Sequence, residues 1–149
     1  MDQPCDTPSS AKPAARNVGP LAEGTILVRV TYRDTDQMGF VYYSNYFVYF
    51  EMGRTELLRS LGRTYRACEE AGIFLPVLEA SCQYHFSARY DDLIEIKTSV
   101  VRWTKAALDF SYECRRAGDG ALLATGVTRH AFTNRDGKIT RMGGRILEA

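Results

Sequence analysis

An acidic residue, Asp36, lies a few residues before a predicted long helix, and this pairing can do chemistry. The N-terminus of a helix carries unpaired N–H groups and roughly half a positive charge. A carboxylate beside such donors can attack a carbonyl carbon or activate a water molecule, and the donors can stabilise the oxygen that becomes negative. The stretch therefore predicts a site for chemistry on a carbonyl group. Which of the two roles Asp36 takes stays open.

The helix itself is predicted to begin near Ser44 and to end before Gly62. Ser44 or Asn45 can cap it by accepting a backbone N–H of its first turn, and Gly62 suits the left-handed conformation that follows many helices. Residues 46–52 are apolar nearly all round, which is typical of a buried helix. We therefore expect a sheet to enclose the helix.

The rest of the chain is predicted to supply that sheet. Apolar and polar residues alternate with a period of two in five segments, which indicates strands: residues 25–33, 74–87, 93–103, 107–116 and 121–134. A short helix, residues 65–71, is capped by Thr64 and ended by Gly72, and a short last strand is expected through Met142. A phase slip near Val101 predicts a bulge. Because the later loops are too short for crossovers, the sheet is antiparallel and the domain is α+β.

Composition narrows the class of protein. The chain has 149 residues and a net charge of +1, which predicts one domain and gives no reason to expect nucleic acid as a partner. Its four cysteines are far apart without zinc spacing, so we expect reduced thiols and a cytoplasmic location. No apolar run reaches the ~20 residues of a membrane span. Residues 1–23 are rich in Pro, Ala and Ser and are predicted to be a disordered tail before a domain over residues 24–149.

The stretch YRDTDQMGFVYYSNYFVYFEMGRTELLR, residues 32–59, resembles a known family. The pattern D-x-D-x-x-G-x-V-Y-[HY]-x-N-Y, followed by an E-x-x-R-T-E helix, is similar to the hotdog-fold acyl-CoA thioesterases of the 4-hydroxybenzoyl-CoA and Tol-Pal-associated types. The later segment FSARYDD resembles the P-A-R-Y-D-D turn of that family, with Ser87 in place of Pro. The resemblance covers roughly residues 26–142 and implies a long central helix wrapped by an antiparallel sheet of about five strands.

The resemblance also implies an activity and a catalytic pair. Asp36 matches the catalytic carboxylate of the family, and the backbone N–H of Tyr43 matches the donor that polarises the thioester carbonyl. The position of Tyr43 holds a His in the Tol-Pal-associated branch and a Tyr in the 4-hydroxybenzoyl branch. The expected reaction is hydrolysis of an acyl- or aroyl-CoA to the free acid and coenzyme A. It needs no metal and no cofactor beyond the coenzyme A of the substrate, and a homodimer or homotetramer would form the sites between subunits.

Further residues are expected to bind the substrate or shape the site: Tyr32, Gly39, Phe40, Val41, Asn45, Tyr46, Glu51 and Arg89. Several have a structural alternative. Asp36 can be an Asx-turn residue, and Asn45 can cap the helix or hold the site loop. Glu51 and Arg54 can form ion pairs with each other or with the sheet, or Glu51 can line an acyl pocket or help hold the water across a dimer.

Two other functions stay open. The same fold can serve as a non-catalytic acyl-CoA sensor or scaffold, and the substrate can be a thioester of an acyl carrier protein rather than of coenzyme A. His85 and His130 are expected to be packed or surface residues rather than catalytic bases. Hotdog dehydratases need a His in the site loop, and this loop has none, which argues against dehydration.

Overall fold

One long helix packs on a five-stranded antiparallel sheet in the computed structural model, which describes residues 14–147. The strands are β1 (Glu23–Arg29), β2 (Val77–Tyr84), β3 (Leu93–Trp103), β4 (Ala107–Arg116) and β5 (Leu122–Ala131), and the helices are α1 (Asn45–Ser60) and α2 (Tyr65–Glu70). The strand order across the sheet is β1-β3-β4-β5-β2. The predicted α+β architecture with five antiparallel strands is confirmed.

β3 and β4 match their predicted bounds, whereas β1, β2 and β5 do not. The phase slip in β3 is a bulge, because the pairing with β4 shifts register between Val100 and Arg102. β1 stops before residues 32–34, which form one turn of 3₁₀ helix. The predicted last strand is wrong: the chain after β5 makes isolated bridges only, from Thr133 to Phe74 and to Ile139. The Asn134 side chain closes the tight turn between Thr133 and Ile139.

Two glycines let α1 approach the sheet closely. A Cβ atom at Gly53 would collide with the Thr98 hydroxyl on β3, and one at Gly126 would collide with the Phe50 ring. Phe50 in turn stacks on Tyr112 of β4, with 4.3 Å between ring centroids. This close packing fixes the position of the helix on the sheet, and with it the position of the helix N-terminus.

The sheet covers one side of α1 and leaves the opposite side of the helix exposed in the single chain. Tyr46, Tyr49 and Phe50 are buried against the sheet, whereas Val48 and Met52 remain 51% and 42% exposed. A single sheet can bury one stripe of a helix. The apolar outer stripe is therefore left without a partner within one chain.

The helix ends follow the predictions except at the start of α1. Ser44 is the N-cap residue, but its side chain accepts no hydrogen bond from the first turn. Gly62 has a φ of +82° after α1, as predicted, and Thr64 caps α2 by accepting from the amide of Ala67 at 3.1 Å.

Ordered structure begins before the predicted boundary at residue 23, whereas the predicted tail over residues 1–13 lies outside the described residues. The amide of Trp103 donates to the Asn17 side chain at 2.9 Å, and the amide of Val18 donates to the Trp103 carbonyl at 2.7 Å. Gly19 lies against the Trp103 indole. These contacts hold residues 17–19 at the end of β3.

Two further observations concern membrane-spanning helices and cysteines. Among residues 14–147 no helix combines the length and the apolar character that crossing a membrane requires. Cys68, Cys82 and Cys114 are free cysteines, and Cys114 is fully buried.

A buried polar chain links the sheet to the segment before β2. The Nδ1–H of His130 donates to the Leu75 carbonyl at 3.3 Å, because a carbonyl can only accept. Its Nε2 then accepts from the Thr128 hydroxyl at 2.8 Å, and Thr128 accepts from the Tyr112 hydroxyl at 2.6 Å. His130 is therefore neutral, with its proton on Nδ1.

Arg54 lies in the same buried region, and it does not form the expected ion pair with Glu51. Its Nε donates to the Tyr65 hydroxyl at 3.1 Å, and no ion pair joins it to Glu51 among the described residues. The side chain of Glu51 is exposed instead, since it projects from the uncovered side of α1. The interpretation of Glu51 and Arg54 as an ion pair is wrong for the single chain.

We predict that His130 makes the fold sensitive to acid. Burial, followed by the nearby Arg54 cation, lowers the pKa of His130 to about 4 from 6.5. The pKa of this histidine is lower in the folded than in the unfolded protein, so the folded state binds fewer protons between pH 4 and pH 6.5. The contribution of neutral His130 to the free energy of unfolding is therefore complete above pH 6.5 and is lost as the pH falls toward 4. The loss is about 3 kcal/mol of unfolding free energy. Chemical denaturation at a series of pH values would measure it.

The second histidine of the chain provides the matched control. We expect the His130→Gln variant to show a flatter dependence of unfolding free energy on pH between 6.5 and 4. The exposed His85, changed to Gln, should leave that dependence as in the wild type. Equal slopes in the His130→Gln variant and the wild type would contradict the prediction.

Candidate active site

The acidic loop is a small hairpin that the Asp36 side chain closes. The backbone amide of Asp36 donates to the Phe40 carbonyl at 2.8 Å, and Gly39 takes a φ of +83° at the turn. Asp36 Oδ1 accepts from the amides of Met38 and Phe40, at 2.9 and 3.2 Å. The predicted Asx-turn is therefore present, and it fixes the carboxylate in place.

One oxygen of that carboxylate remains available. All hydrogen bonds to the Asp36 side chain from residues 14–147 go to Oδ1, and none goes to Oδ2. Asp36 is half-buried and lines a cleft. The structural and the catalytic interpretations of Asp36 are thus compatible, because different oxygens would serve them.

The start of α1 presents free donors beside this loop. Within the described part of the chain, the backbone N–H groups of Tyr43 and Ser44 have no hydrogen-bond acceptor. The amide of Tyr42, immediately before them, is bonded to the Asp34 carbonyl at 2.8 Å. The free groups are those expected of a helix N-terminus, where they can bind an anion or a polarised oxygen.

Asn45 holds the acidic loop against the helix. Its Nδ2 donates to the Asp34 carbonyl at 2.8 Å, the same oxygen that Tyr42 reaches. Its side chain therefore does not cap α1 as one alternative expected. The tie fixes the distance between the Asp36 loop and the first turn of the helix, so the carboxylate and the donors keep one geometry.

Asp36 and Tyr43 line one cleft of about 530 Å³, which lies within the range of roughly 300–1,000 Å³ typical of small-molecule sites. It is lined mainly by aromatic side chains and by the acidic loop: Asp36, Met38, Phe40, Val41, Tyr42, Tyr43, Tyr46, Tyr84, His85, Phe86 and Ser87. An aromatic wall around one carboxylate suits an apolar group that carries a reactive polar centre.

Tyr46 and Tyr84 form part of the wall of the cleft. Tyr84 donates from its hydroxyl to the Tyr43 carbonyl at 3.0 Å and packs edge-on against Tyr46. Burial raises the pKa of Tyr46 to about 12 and also raises that of Tyr84. Both phenols therefore keep their protons at neutral pH.

Five of the predicted site residues line the cleft: Asp36, Phe40, Val41, Tyr43 and Tyr46. Arg89 lies at its edge, where its backbone pairs with Phe40 and its guanidinium sits 4.7 Å from the Phe40 ring centroid. Tyr32 and Glu51 lie outside it. Tyr32 stacks on Tyr90, and Glu51 lines a separate hollow beside Arg54.

Tyr84 and Phe86 form part of the cleft without having been predicted to do so. Their alternation with polar neighbours places both on the apolar face of the second strand. That signal could have identified them as wall residues, but only together with the knowledge that this end of β2 meets the start of α1. His85, between them, bonds to the Thr125 hydroxyl of β5 at 3.2 Å.

Comparison with known proteins places this chain in a family. A family model described as "Thioesterase-like superfamily" matches residues 30–149. A putative esterase of Aquifex aeolicus is 33% identical over 120 residues, which cover 80% of this chain and 91% of that protein. A putative acyl-CoA thioesterase of Bacillus subtilis, YneP, is 32% identical over 99 residues, covering 66% of this chain and 72% of that protein.

The solved structures agree with the sequence relatives. The structure of a DHNA-CoA thioesterase from Staphylococcus aureus matches with a TM-score of 0.77 and 29% identity, covering 80% of this chain and 80% of that chain. The Aquifex aeolicus structure of a hypothetical protein matches with a TM-score of 0.78 and 32% identity, covering 84% of this chain and 97% of that one. The chain therefore belongs to the thioesterase-like superfamily and is a thioester hydrolase with the hotdog fold.

Proposed function

We propose that this protein hydrolyses an acyl- or aroyl-CoA thioester to the free acid and coenzyme A. The observation that carries the proposal is that Asp36 and Tyr43, whose N–H has no acceptor among the described residues, line the same aromatic cleft. The names of the Bacillus subtilis and Staphylococcus aureus relatives, an acyl-CoA thioesterase and a DHNA-CoA thioesterase, support the choice of substrate.

The N–H of Tyr43 would bind the thioester carbonyl oxygen. That oxygen becomes negative as the carbonyl carbon is attacked, and a donor already aimed at it needs no rearrangement during the reaction. Loss of one such donor costs roughly 3 kcal/mol in known sites of this kind. The positive end of α1 adds to the stabilisation.

Asp36 would supply the attack from its available oxygen. In one route Oδ2 attacks the carbonyl carbon, the C–S bond breaks, and water hydrolyses the resulting anhydride. In the other route the carboxylate takes a proton from a water molecule, whose oxygen attacks instead. In both, the sulfur leaves as a thiolate, which is a good leaving group because an ordinary thiol has a pKa of about 8.5. Neither route calls for a metal or a further cofactor.

We further propose that copies of the chain associate and that the active sites lie at the interface between them. We also propose a cytoplasmic location for the protein. β2 is an edge strand with one neighbouring strand in the sheet. Val77 and Leu78 on it are 49% and 67% exposed, and Phe86 just after it is 65% exposed. The outer stripe of α1 is apolar as well. Exposed apolar edges of this kind support self-association into a dimer or tetramer. Glu51 would then reach the cleft of a partner subunit.

A substrate panel tests the proposed reaction. We expect thiol release from at least one class among short, long and aromatic acyl-CoAs, followed with a thiol reagent. The same acyl group on an acyl carrier protein distinguishes the two carriers. Binding of acyl-CoA without any release of thiol would instead support the sensor or scaffold function and contradict the proposal.

A further inference from the structure

A pair of stacked tyrosines at the surface lies next to the acidic loop and takes no part in the chemistry above. We propose that this pair, Tyr32 and Tyr90, with the arginines beside it, binds the adenine nucleotide of coenzyme A. The proposal rests on the proposed function, because it concerns the carrier part of the same substrate. It selects coenzyme A over an acyl carrier protein, whose thioester arm has no adenine.

The two rings form a ready platform for a planar base. They stack at 3.8 Å between centroids and 8° between planes, and Tyr32 remains 74% exposed. One face of Tyr32 is covered by Tyr90, and its other face is left to solvent. A base can add to such a stack, because stacking on an aromatic side chain requires only its π-face.

Three arginines lie close to the two tyrosines in the chain: Arg29, Arg33 and Arg89. Arg29 Nη1 donates to the carbonyl of Asp91, the residue after Tyr90, at 2.8 Å, and none of the three forms an ion pair within residues 14–147. Guanidinium groups of this kind bind phosphate.

Two of the carboxylates near the platform are already held by hydrogen bonds from other groups. Asp34 accepts from the amide and hydroxyl of Thr31, and Asp92 accepts from Arg116 and from the amide of Arg89. Asp91 is the exposed acid that remains beside the tyrosines. Two planar rings and three arginines that form no ion pair among the described residues together fit an adenine that carries phosphates.

The platform is continuous with the cleft. Arg89 bridges to Phe40 of the cleft wall, and Tyr90 follows it directly in the chain. On the other side, Tyr32 precedes Asp36 by four residues, a backbone reach of at most about 14 Å. The pantetheine arm of coenzyme A is longer than this reach. A thioester at Asp36 can therefore place its nucleotide on the tyrosines.

The test compares acyl-CoA with acyl-pantetheine, which carries the same thioester without the nucleotide. We expect the Tyr32→Ala variant to raise the KM for acyl-CoA about tenfold and to leave kcat unchanged. The KM for acyl-pantetheine should not change. The Tyr32→Phe variant should behave as the wild type, because it keeps the π-face. The adenosine bisphosphate fragment of coenzyme A should inhibit the wild type competitively and the Tyr32→Ala variant more weakly.

A matched arginine pair tests the charged part. The Arg33→Ala variant should raise the KM for acyl-CoA alone, and the effect should shrink at high salt. Arg135, which lies over the Phe74 ring at 5.5 Å on another part of the surface, is the control, and its change to Ala should alter neither KM.

Each result decides for or against the platform. Equal changes for acyl-CoA and acyl-pantetheine, or no inhibition of the wild type by the fragment, would overturn it. A preference for the acyl carrier protein thioester together with absence of inhibition would do the same. If the wild type hydrolyses neither thioester, the proposed function fails. Calorimetric binding of the fragment to wild type and to the Tyr32→Ala variant would then still decide the nucleotide site.

Discussion

Replacement of Asp36 by Asn is expected to lower kcat for acyl-CoA by about 10²–10⁴-fold, because the variant loses the charge that attacks or activates water. The fold should survive. Asn keeps an Oδ1 that can accept from the amides of Met38 and Phe40, so the Asx-turn stays closed. Thiol release at saturating substrate gives the rate, and the melting temperature reports on the fold.

Asp34 provides the matched control, two residues earlier in the same segment. Its carboxylate is occupied by Thr31, so the Asp34→Asn variant should lose less than about tenfold in kcat, well short of the loss expected for catalytic acid–base groups. If the Asp36→Asn variant keeps most of the wild-type turnover, Asp36 is only a turn residue. The catalytic role assigned to it would then be wrong.

The Tyr43→Pro variant is expected to lower kcat by about 10²–10³-fold, which is the loss seen when one donor to the reacting oxygen is removed. Proline has no backbone N–H, so this change deletes the donor itself. The native amide of Tyr43 has no internal acceptor among the described residues, so no hydrogen bond of the fold is lost with it. Steady-state kinetics on the best acyl-CoA would measure the effect.

The Tyr43→Ala variant separates the backbone donor from the ring. It removes a cleft wall but keeps the N–H, so we expect a change mainly in KM and a much smaller loss in kcat than with Pro. Because the proline ring also restricts Tyr42, unchanged melting temperatures are needed for the comparison. Equal losses of kcat in both variants would show that the ring, and not the amide, carries the effect.

Local patterns predicted much of this fold. The bounds of β3 and β4 agree with the alternation of apolar residues, and the bulge near Val101 is where the phase slips. Thr64 and Gly72 mark the ends of the short helix as predicted. These features depend on neighbours in the sequence, so the sequence is sufficient to locate them.

The parts that the sequence did not reveal depend on distant contacts. Tyr84 reaches the site because β2 lies across the sheet from β1 and its end meets the start of α1. The Asn45 side chain donates to the Asp34 carbonyl eleven residues earlier. The capping propensity of Asn does not indicate this hydrogen bond, because it concerns only the first turn of the helix. β1 ends at Arg29, before the predicted residue 33, because the Asp34 side chain accepts from the Thr31 amide and turns the chain there.

The apolar residues of α1 predict a buried helix, but they do not identify the surface that buries it. Val48 and Met52 fit the pattern of a buried helix, yet the sheet of the same chain does not reach them. The apolar residues around a helix indicate that its surface is buried, but they do not indicate whether the same chain or another copy of the chain buries it. The exposure of these residues and of the β2 edge is consistent with the second answer.

A crystal structure of the Asp36→Asn variant with an acyl-CoA bound would test the central claim most directly. We expect the thioester carbonyl oxygen at about 2.7–3.1 Å from the Tyr43 amide nitrogen, with its carbon facing the side chain of residue 36. A thioester bound away from the start of α1, with the Tyr43 amide left to solvent, would contradict the account.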